Sequence, residues 1–402
     1  MPFREQSRLE QRIAMLADYD AGGLSVVELC AIYSVSRETL YFWRRRRASG
    51  EADWFVDRSH APKTCPQKTP EAVAAAVIAA KRRYPQFGPK KIKAWLERTR
   101  PQERWPAAST IGDALKAAGL TGSRSGRRRG RELGRVEVAA STANAEWACD
   151  FKGWFRTRDG TRCDPLTITD TASRYLIEVR IAEPTFAGVR PVFERAFEAH
   201  GLPEAIRCDN GALFGANSAA GLTRLSVWWL KLGIRPHFIR PASPQDNGRH
   251  ERMHRTLKAD TAQPAAEDLA EQQARFDAFR ERYNRERPHE AIGQQTPDQV
   301  WRPSPRAMPQ RPLEPWYDAD HQVRQVRTSG EIKWRNQLVF ISEPLAGEPV
   351  GLFEREDGKH IVRYFDLDLG VIDRLGGFQR FAPQRYRLRE PLEPADQAKP
   401  KL

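Results

Sequence analysis

The spacing of apolar and polar positions changes character several times along the chain. Ser25 stands before Val26, Val27, Leu29, Cys30 and Ile32, with Glu28 three residues on, which predicts a short helix opened by a capping box. After a break at Ser34 and Val35, Ser36 caps a second helix, "RETLYFWRRRR". Its Leu40 and Trp43 face the first helix, leaving Arg44 to Arg47 to solvent or phosphate. Two short helices joined by a clipped turn and ending in arginines read as a DNA-binding helix-turn-helix; a plain helical hairpin with a solvated basic end is the bland alternative.

A Pro-bearing linker leads to further helical spacing at Glu71 to Arg83, in "GPKKIKAWLERT" and in "ASTIGDALKAAGL" from Ala108, where Ser109 or Thr110 is the expected cap and Gly119 the stop. This order suits a second helix-turn-helix and equally a neutral trihelical packing unit. Next, "SRSGRRRGRELGR" spreads arginines among Gly and Ser, a basic strap suited to phosphate contacts.

From Glu146 the period shortens to that of strands. "EWACDFKGWF", "PLTITDTA" and "RYLIEVRI" read as successive strands. They are followed by a helix from Ala187 to His200, a strand "EAIRCDN", a helix through "LSVWWLKLG", a strand "IRPHFI" and two more helices, ending near Trp301. Strands first together and then alternating with helices predict a mixed sheet covered on both faces. Past a Pro-rich junction, "HQVRQVRTSGEIKWRNQLVFIS", "EPVGLFEREDGKHIVRYFD" and "LGVID" read as short strands joined at Ser-Gly, Asn-Gln and Asp-Gly turns, the pattern of a small β-barrel.

Composition narrows the partners. The formal net charge is +14, and residues 1–140 hold 27 Lys/Arg against 15 Asp/Glu, a local excess of 12. A field of that sign favours a polyanion. The longest apolar run, Ala72 to Ala80, falls far short of the ~20 residues that a spanning helix needs, so nucleic acid is a better partner than a membrane. The charged start, "MPFREQSRLEQR", has no apolar signal core, and the five cysteines are scattered without a CxxC pair. Both point to a reducing, cytoplasmic setting and away from a disulfide framework or zinc knuckle.

The candidate chemistry lies in three acids. "WACD" and "AIRCD" end apolar strands at Asp150 and Asp209, positions where a carboxylate is costly unless it is paired, hydrogen-bonded or bound to metal. The carboxyl ends of strands in an open α/β sheet are also the usual place for a site. Glu251 stands in "ASPQDNGRHERMHRTLK", with Arg255 and Lys258 on the same helical face. An ordinary ion pair from Glu251 to Arg255 would also explain its presence. His250 and His254 lack the Cys/His spacing of a zinc site and read as helix-surface or DNA-contact residues.

The segments "WACDFKGWF", "DTASRY", "CDNG", "SPQDNGRHERMHRTLK" and "YNRERPHEAI", in this order, resemble the integrase-core (D-D-E) transposases of bacterial insertion sequences, relatives of retroviral integrases. The leading helical segments and "VRTSGEIKWRNQLVFIS" extend the resemblance over most of the chain. It implies Asp150, Asp209 and Glu251 as catalytic residues and as ligands of Mg²⁺ or Mn²⁺, with two ions expected, on a ribonuclease-H-like α/β core. Asp246 competes with Glu251 but looks like a helix cap. The gap from Asp209 to Glu251 holds 41 residues, longer than in many integrases, with "GANSAAGLTR" read as an insertion. Asp170 reads as a strand-end hydrogen-bonding group, and Arg287, Pro288 and His289 as packing at a helix terminus.

The expected organisation is multidomain. It comprises a helix-turn-helix DNA-binding domain at 1–60, a second helical domain at 66–122, a basic linker at 123–140, a ribonuclease-H-like integrase core at 141–302 and a small β-barrel at 315–380. Expected DNA contacts are Arg37, Arg44, Arg45, Arg46, Arg127, Arg128, Arg129, Arg255 and Lys258. The expected partners are the element's terminal inverted repeats and target DNA, with a homo-oligomer on the DNA and a bacterial, nucleoid-associated location. The resemblance implies a transposase that cleaves phosphodiester bonds and transfers 3′-hydroxyl ends. The alternatives are a nuclease without strand transfer and a DNA-binding regulator with a dead core.

Overall fold

The computed structural model describes residues 7–58, 69–121, 142–209, 211, 213–215, 218–239 and 248–381. The chain divides into two compact units, Met1–Thr69 and Pro70–Leu402.

The first unit contains α1 (Arg8–Ala21), α2 (Val26–Ile32) and α3 (Arg37–Ala48). The expected capping box at Ser25 and Glu28 is present, and the Ser36 hydroxyl accepts from the Thr39 amide at 3.1 Å. Leu40 and Trp43 are buried against Leu29, Met15 and Leu16. The last two belong to α1, a helix absent from the sequence reading and opened by its own capping box at Ser7 and Glu10. The Arg12 guanidinium covers the Trp43 ring at 4.1 Å, so part of this small core is sealed by a charged side chain lying over an indole.

The second unit opens with α4 (Glu71–Arg83), α5 (Pro89–Thr99) and α6 (Ala108–Ala117). These close on Val77, Phe87, Ile92, Leu96, Trp105, Ile111 and Leu115. Neither Ser109 nor Thr110 caps α6: Ala107 holds the cap position with no side-chain bond. Trp105, buried and donating from Nε1 to the Arg100 carbonyl at 3.3 Å, fixes the entry so that the helix begins earlier than the polar residues suggested. Gly119 ends it with a left-handed φ of 68°.

The central sheet runs β5 (Leu176–Ile181), β4 (Pro165–Asp170), β1 (Glu146–Phe151), β6 (Ala205–Cys208), β7 (Arg235–Phe238). The pairs β5·β4 and β4·β1 are antiparallel, and β1·β6 and β6·β7 are parallel, which is the expected mixed sheet. A small hairpin, β2 (Phe155–Arg156) and β3 (Arg162–Cys163), follows β1. One face packs on α7 (Phe186–His200) and α8 (Arg224–Lys231) through Trp147, Phe193, Phe197, Ile206 and Trp229. The other packs on α9 (Gly248–Thr261) and α10 (Leu269–Arg285) through Val179, Met253, Leu257, Phe276 and Phe279. A short α11 (Pro297–Val300) leads to Trp301, whose ring stacks on Tyr175 at 4.0 Å.

The polar residues singled out in the sequence hold this layer arrangement together. Asp170 accepts from the amides of Asn144 and Ser173, each at 2.7 Å, the strand-end role expected of it. In "YNRERPHEAI" the amide of Asn284 clips the start of β5, accepting from Leu176 N at 2.8 Å and donating to Leu176 O at 2.9 Å. That satisfies a backbone position where the strand pairing begins.

The C-terminal strands are β8 (His321–Gln325), β9 (Glu331–Trp334), β10 (Gln337–Phe340), β11 (Pro349–Glu354), β12 (His360–Tyr364), β13 (Leu367–Ile372) and β14 (Phe378–Arg380). They form a five-stranded sheet, β14-β13-β12-β11-β8, and a separate β9·β10 hairpin over a shared core; among the described residues no ladder closes them into a barrel. The tight turn falls at Arg335 and Asn336, both with positive φ, one residue before the expected Asn-Gln.

The same core takes in Ala219, Ala220 and Leu222 of the stretch read as an insertion, with Val227 and Leu230 of α8. These three residues are therefore part of a seat for the β module. No helix among the described residues is long and apolar enough to cross a membrane.

Candidate active site

Asp150 lies near the end of β1 and Asp209 directly follows β6. The two strands are parallel neighbours with Trp147 opposite Ile206 and Ala148 opposite Arg207, a register that carries both aspartates to the same sheet edge. Behind them Cys149 and Cys208 are fully buried. Burial pushes both thiols well above their ordinary range, and the two neighbouring carboxylates add to it, so these cysteines are inert packing groups. The carboxylate of Asp209 accepts from the Gly211 amide at 3.0 Å, the turn chemistry of "CDNG".

Helix α9 is fastened beside Asp150 by two buried histidines. Thr167 lies opposite Asp150 in the β1·β4 register, and its hydroxyl is 2.7 Å from Nε2 of both His250 and His254. The same hydroxyl donates to the Asp150 carbonyl at 3.0 Å. A hydroxyl has one hydrogen and two lone pairs, so with its hydrogen given to Asp150 it accepts from both imidazoles, each carrying its proton on Nε2. Burial keeps both rings neutral. His254 is pushed down to about 3 by desolvation with Lys152 adding to it, and His250 well below its ordinary value by desolvation, His254 and Arg207. The expectation that these histidines sit on the helix surface or on DNA is corrected: they are 3% and 7% exposed. They face the sheet, where the Thr167 hydroxyl meets the Nε2 of both rings.

Glu251, adjacent to His250, is exposed in the first turn of α9, where the helix dipole favours an acid. No ion pair joins it to Arg255 among the described residues, so that explanation of its presence falls. Among the described residues no three His, Cys, Asp or Glu side chains stand close enough together to hold one metal ion. The fold thus brings Asp150 and Asp209 to one edge and leaves Glu251 outside a shared group. Asp246 lies outside the described residues.

Of the expected DNA contacts, Arg37, Arg44 and Arg45 are exposed on α3. Arg46 is not free in the same way: its side chain is 10% exposed and packs over Trp43, with the guanidinium 5.2 Å from the ring centroid. Arg47, also expected to point outward, pairs with Asp20 at 2.6 Å. Arg255 and Lys258 are exposed on α9. Arg127, Arg128 and Arg129 lie outside the described residues. Sequence spacing missed Thr167, an unremarked strand residue; its signal was the i, i+4 spacing of His250 and His254, which marks one helix face seeking a polar partner.

Residues 232–297 match the family model described as integrase core domain. Over 238 residues the chain is 24% identical to an uncharacterized 31.7 kDa protein of insertion element IS407 from Burkholderia multivorans, covering 58% of this chain and 82% of the relative. Among solved structures, the magnesium-bound HTLV-2 integrase catalytic core domain in its trimeric form is 15% identical with a TM-score of 0.30, over 40% of this chain and 99% of that one. A simian T-cell lymphotropic virus intasome in complex with PP2A regulatory subunit B56 gamma is 17% identical with a TM-score of 0.34, over 75% and 98%.

Proposed function

We infer, from the chain's place among the integrase-core transposases of insertion sequences, that it binds DNA ends, cuts a phosphodiester bond in them and transfers the resulting 3′-hydroxyl into target DNA. The observation that carries this reading is the register of β1 and β6, which sets Asp150 and Asp209 side by side at the carboxyl edge of the sheet. The matched family segment begins just after α8 and includes the helix that bears Glu251.

The donor set fits a divalent cation of the Mg²⁺ or Mn²⁺ type. Two carboxylates offering oxygen alone, with room left for substrate phosphate and water, are the ordinary protein share of a magnesium site. Bound there, such an ion supplies Lewis acidity that activates water or a DNA hydroxyl and steadies the departing oxygen. Asp150 and Asp209 hold the scissile phosphate's neighbourhood negative enough to retain the cation. Glu251, in the first turn of α9, would add a third carboxylate to the set. Exposed Arg37, Arg44 and Arg45 of α3, together with Arg255 and Lys258 of α9, carry the DNA backbone, and the reaction's need for two ends implies at least two copies on the DNA.

A regulator that binds ends without cutting them is the competing reading, and the separation of Glu251 from the aspartate pair is what favours it. The variants Asp150→Asn and Glu251→Gln decide. Both should abolish Mg²⁺-dependent cleavage and strand transfer while binding DNA ends as well as the wild type. Wild-type protein that binds ends and neither cuts nor joins them in Mg²⁺ or Mn²⁺ establishes the regulator. Cutting without joining of pre-cut ends establishes a nuclease.

A further inference from the structure

Three residues beyond Asp150 of the central strand β1 the chain turns sharply. Gly153 takes a left-handed φ of 85°, and Trp154, which follows it, projects with 56% of its surface exposed. More than half of this indole is left to solvent at the rim of an apolar-walled recess. Its companions are cations: the Arg162 guanidinium lies 5.3 Å from the ring centroid and that of Arg156 5.8 Å.

Beside the indole opens a recess of about 120 Å³, with buried Pro165, Leu257 and Phe276 in its wall and Lys152 and Lys258 in its lining. The lining holds no carboxylate. Neither lysine has an ion-pair partner among the described residues, and both line the same recess. An apolar wall, a flat ring and two unpaired ammonium groups converge within a few residues of a catalytic aspartate. A bare phosphate would have no use for the indole and the wall, and an apolar molecule no use for the lysines. A nucleotide uses both, its base stacking on the ring and its phosphates meeting the cations.

We propose that this recess takes an unpaired nucleobase of the DNA strand whose phosphodiester lies at Asp150, stacked on Trp154, with Lys152 and Lys258 holding the flanking phosphates. The proposal rests on the strand-transfer reading and adds to it a splayed end: the strand leaves the duplex at the site, and its base is held away from its partner while the backbone is presented to the aspartates. Base stacking on an aromatic ring tolerates any sequence, so the recess would act on whatever base stands at that position.

The test uses the full chain without divalent metal and two fluorescent probes, a blunt duplex and the same duplex with a short 3′ overhang carrying 2-aminopurine. Wild type should bind the overhang duplex about tenfold more tightly than the blunt one and quench the 2-aminopurine. Trp154→Ala should lose both the preference and the quench, with blunt-duplex affinity and melting temperature kept; Trp154→Phe should retain part of each. A quench and preference that survive in Trp154→Ala, or a wild type that does not favour the overhang, overturns the recess while leaving strand transfer standing. A wild type that binds neither probe overturns both.

Discussion

The hydroxyl of Thr167 lies 2.7 Å from Nε2 of His254 and donates to the backbone carbonyl of Asp150, so the helix that carries Glu251 and the strand that carries Asp150 are tied through one oxygen atom. His250 meets the same oxygen. Thr167 is a positioning residue in this arrangement, since it touches both carriers and no reacting group. Thr167→Val keeps the shape and removes every bond, stranding two buried imidazole N–H groups at about 1–3 kcal/mol each when nothing replaces the acceptor. The expected outcome is a lower melting temperature and a fall of at least about tenfold in metal-dependent end cleavage. DNA binding should change by less than about twofold, since the exposed arginines of α3 are untouched. Thr167→Ser, which restores the oxygen, should recover most of the loss. Unchanged cleavage in Thr167→Val would remove the histidine dock from any part in the chemistry.

A second anchor lies at the far end of the sheet. Glu178 of β5 is buried and faces Arg195 of α7 at 3.1 Å and Arg280 of α10 at 3.3 Å, so one carboxylate grips a helix on each face. Glu178→Ala leaves both guanidinium groups without their acid. Because those arginines are 44% and 25% exposed, solvent recovers part of the cost, and the loss should be about 2–3 kcal/mol by urea unfolding, near or below the lower end for a broken buried pair. A loss within error of zero would mean that the helices hold the sheet without it.

The pH response of the second unit should carry the signature of Lys91. It faces Arg287, Arg252 and His289, with only Glu290 of opposite sign nearby among the described residues, and burial with the two arginines pushes its ammonium down to about 7. Glu290 is itself engaged by Lys90 at 2.8 Å. Between that value and the ~10.4 of an unfolded lysine, the unfolded chain holds a proton that the folded chain has released, so this residue makes stability rise with pH across that window. Lys91→Met, which keeps the stem and removes the charge, should therefore melt higher than wild type below pH 7, the advantage shrinking as pH rises toward ~10. Calorimetry at several pH values reads this directly. A constant difference would show that Lys91 is charged and compensated throughout.

Much of the architecture was legible because its determinants are local. Ser25 with Glu28, and Ser36 before "RETLYFW", signal helix starts through bonds made within three residues. The change of period at Glu146 announced strands, and the order of strands and helices implied the mixed sheet. Helix α1 was missed because its buried face amounts to Met15 and Leu16, too short a stripe to stand out from its charged surroundings. The start of α6 was misread because Trp105, held by contacts elsewhere in its helical bundle, sets the entry and overrides the polar residues that follow. The insertion was legible as extra length but not as a seat, since Ala219, Ala220 and Leu222 acquire their meaning only from strands lying more than a hundred residues later.

The acids divide along the same line. Sequence by itself determined that Asp150 and Asp209 end apolar strands and that Glu251, His250 and His254 share a helix start, because these facts depend on spacing along the chain. It could not say which side of that helix meets the sheet. Tertiary structure decided this: the pairing of β1 with β4 sets Thr167 opposite Asp150, and its hydroxyl draws both histidines inward, leaving Glu251 outward. The physical reason is the cost of burying polar groups without partners. Two imidazoles can be buried only where an acceptor awaits them, and that acceptor comes from a strand distant in sequence.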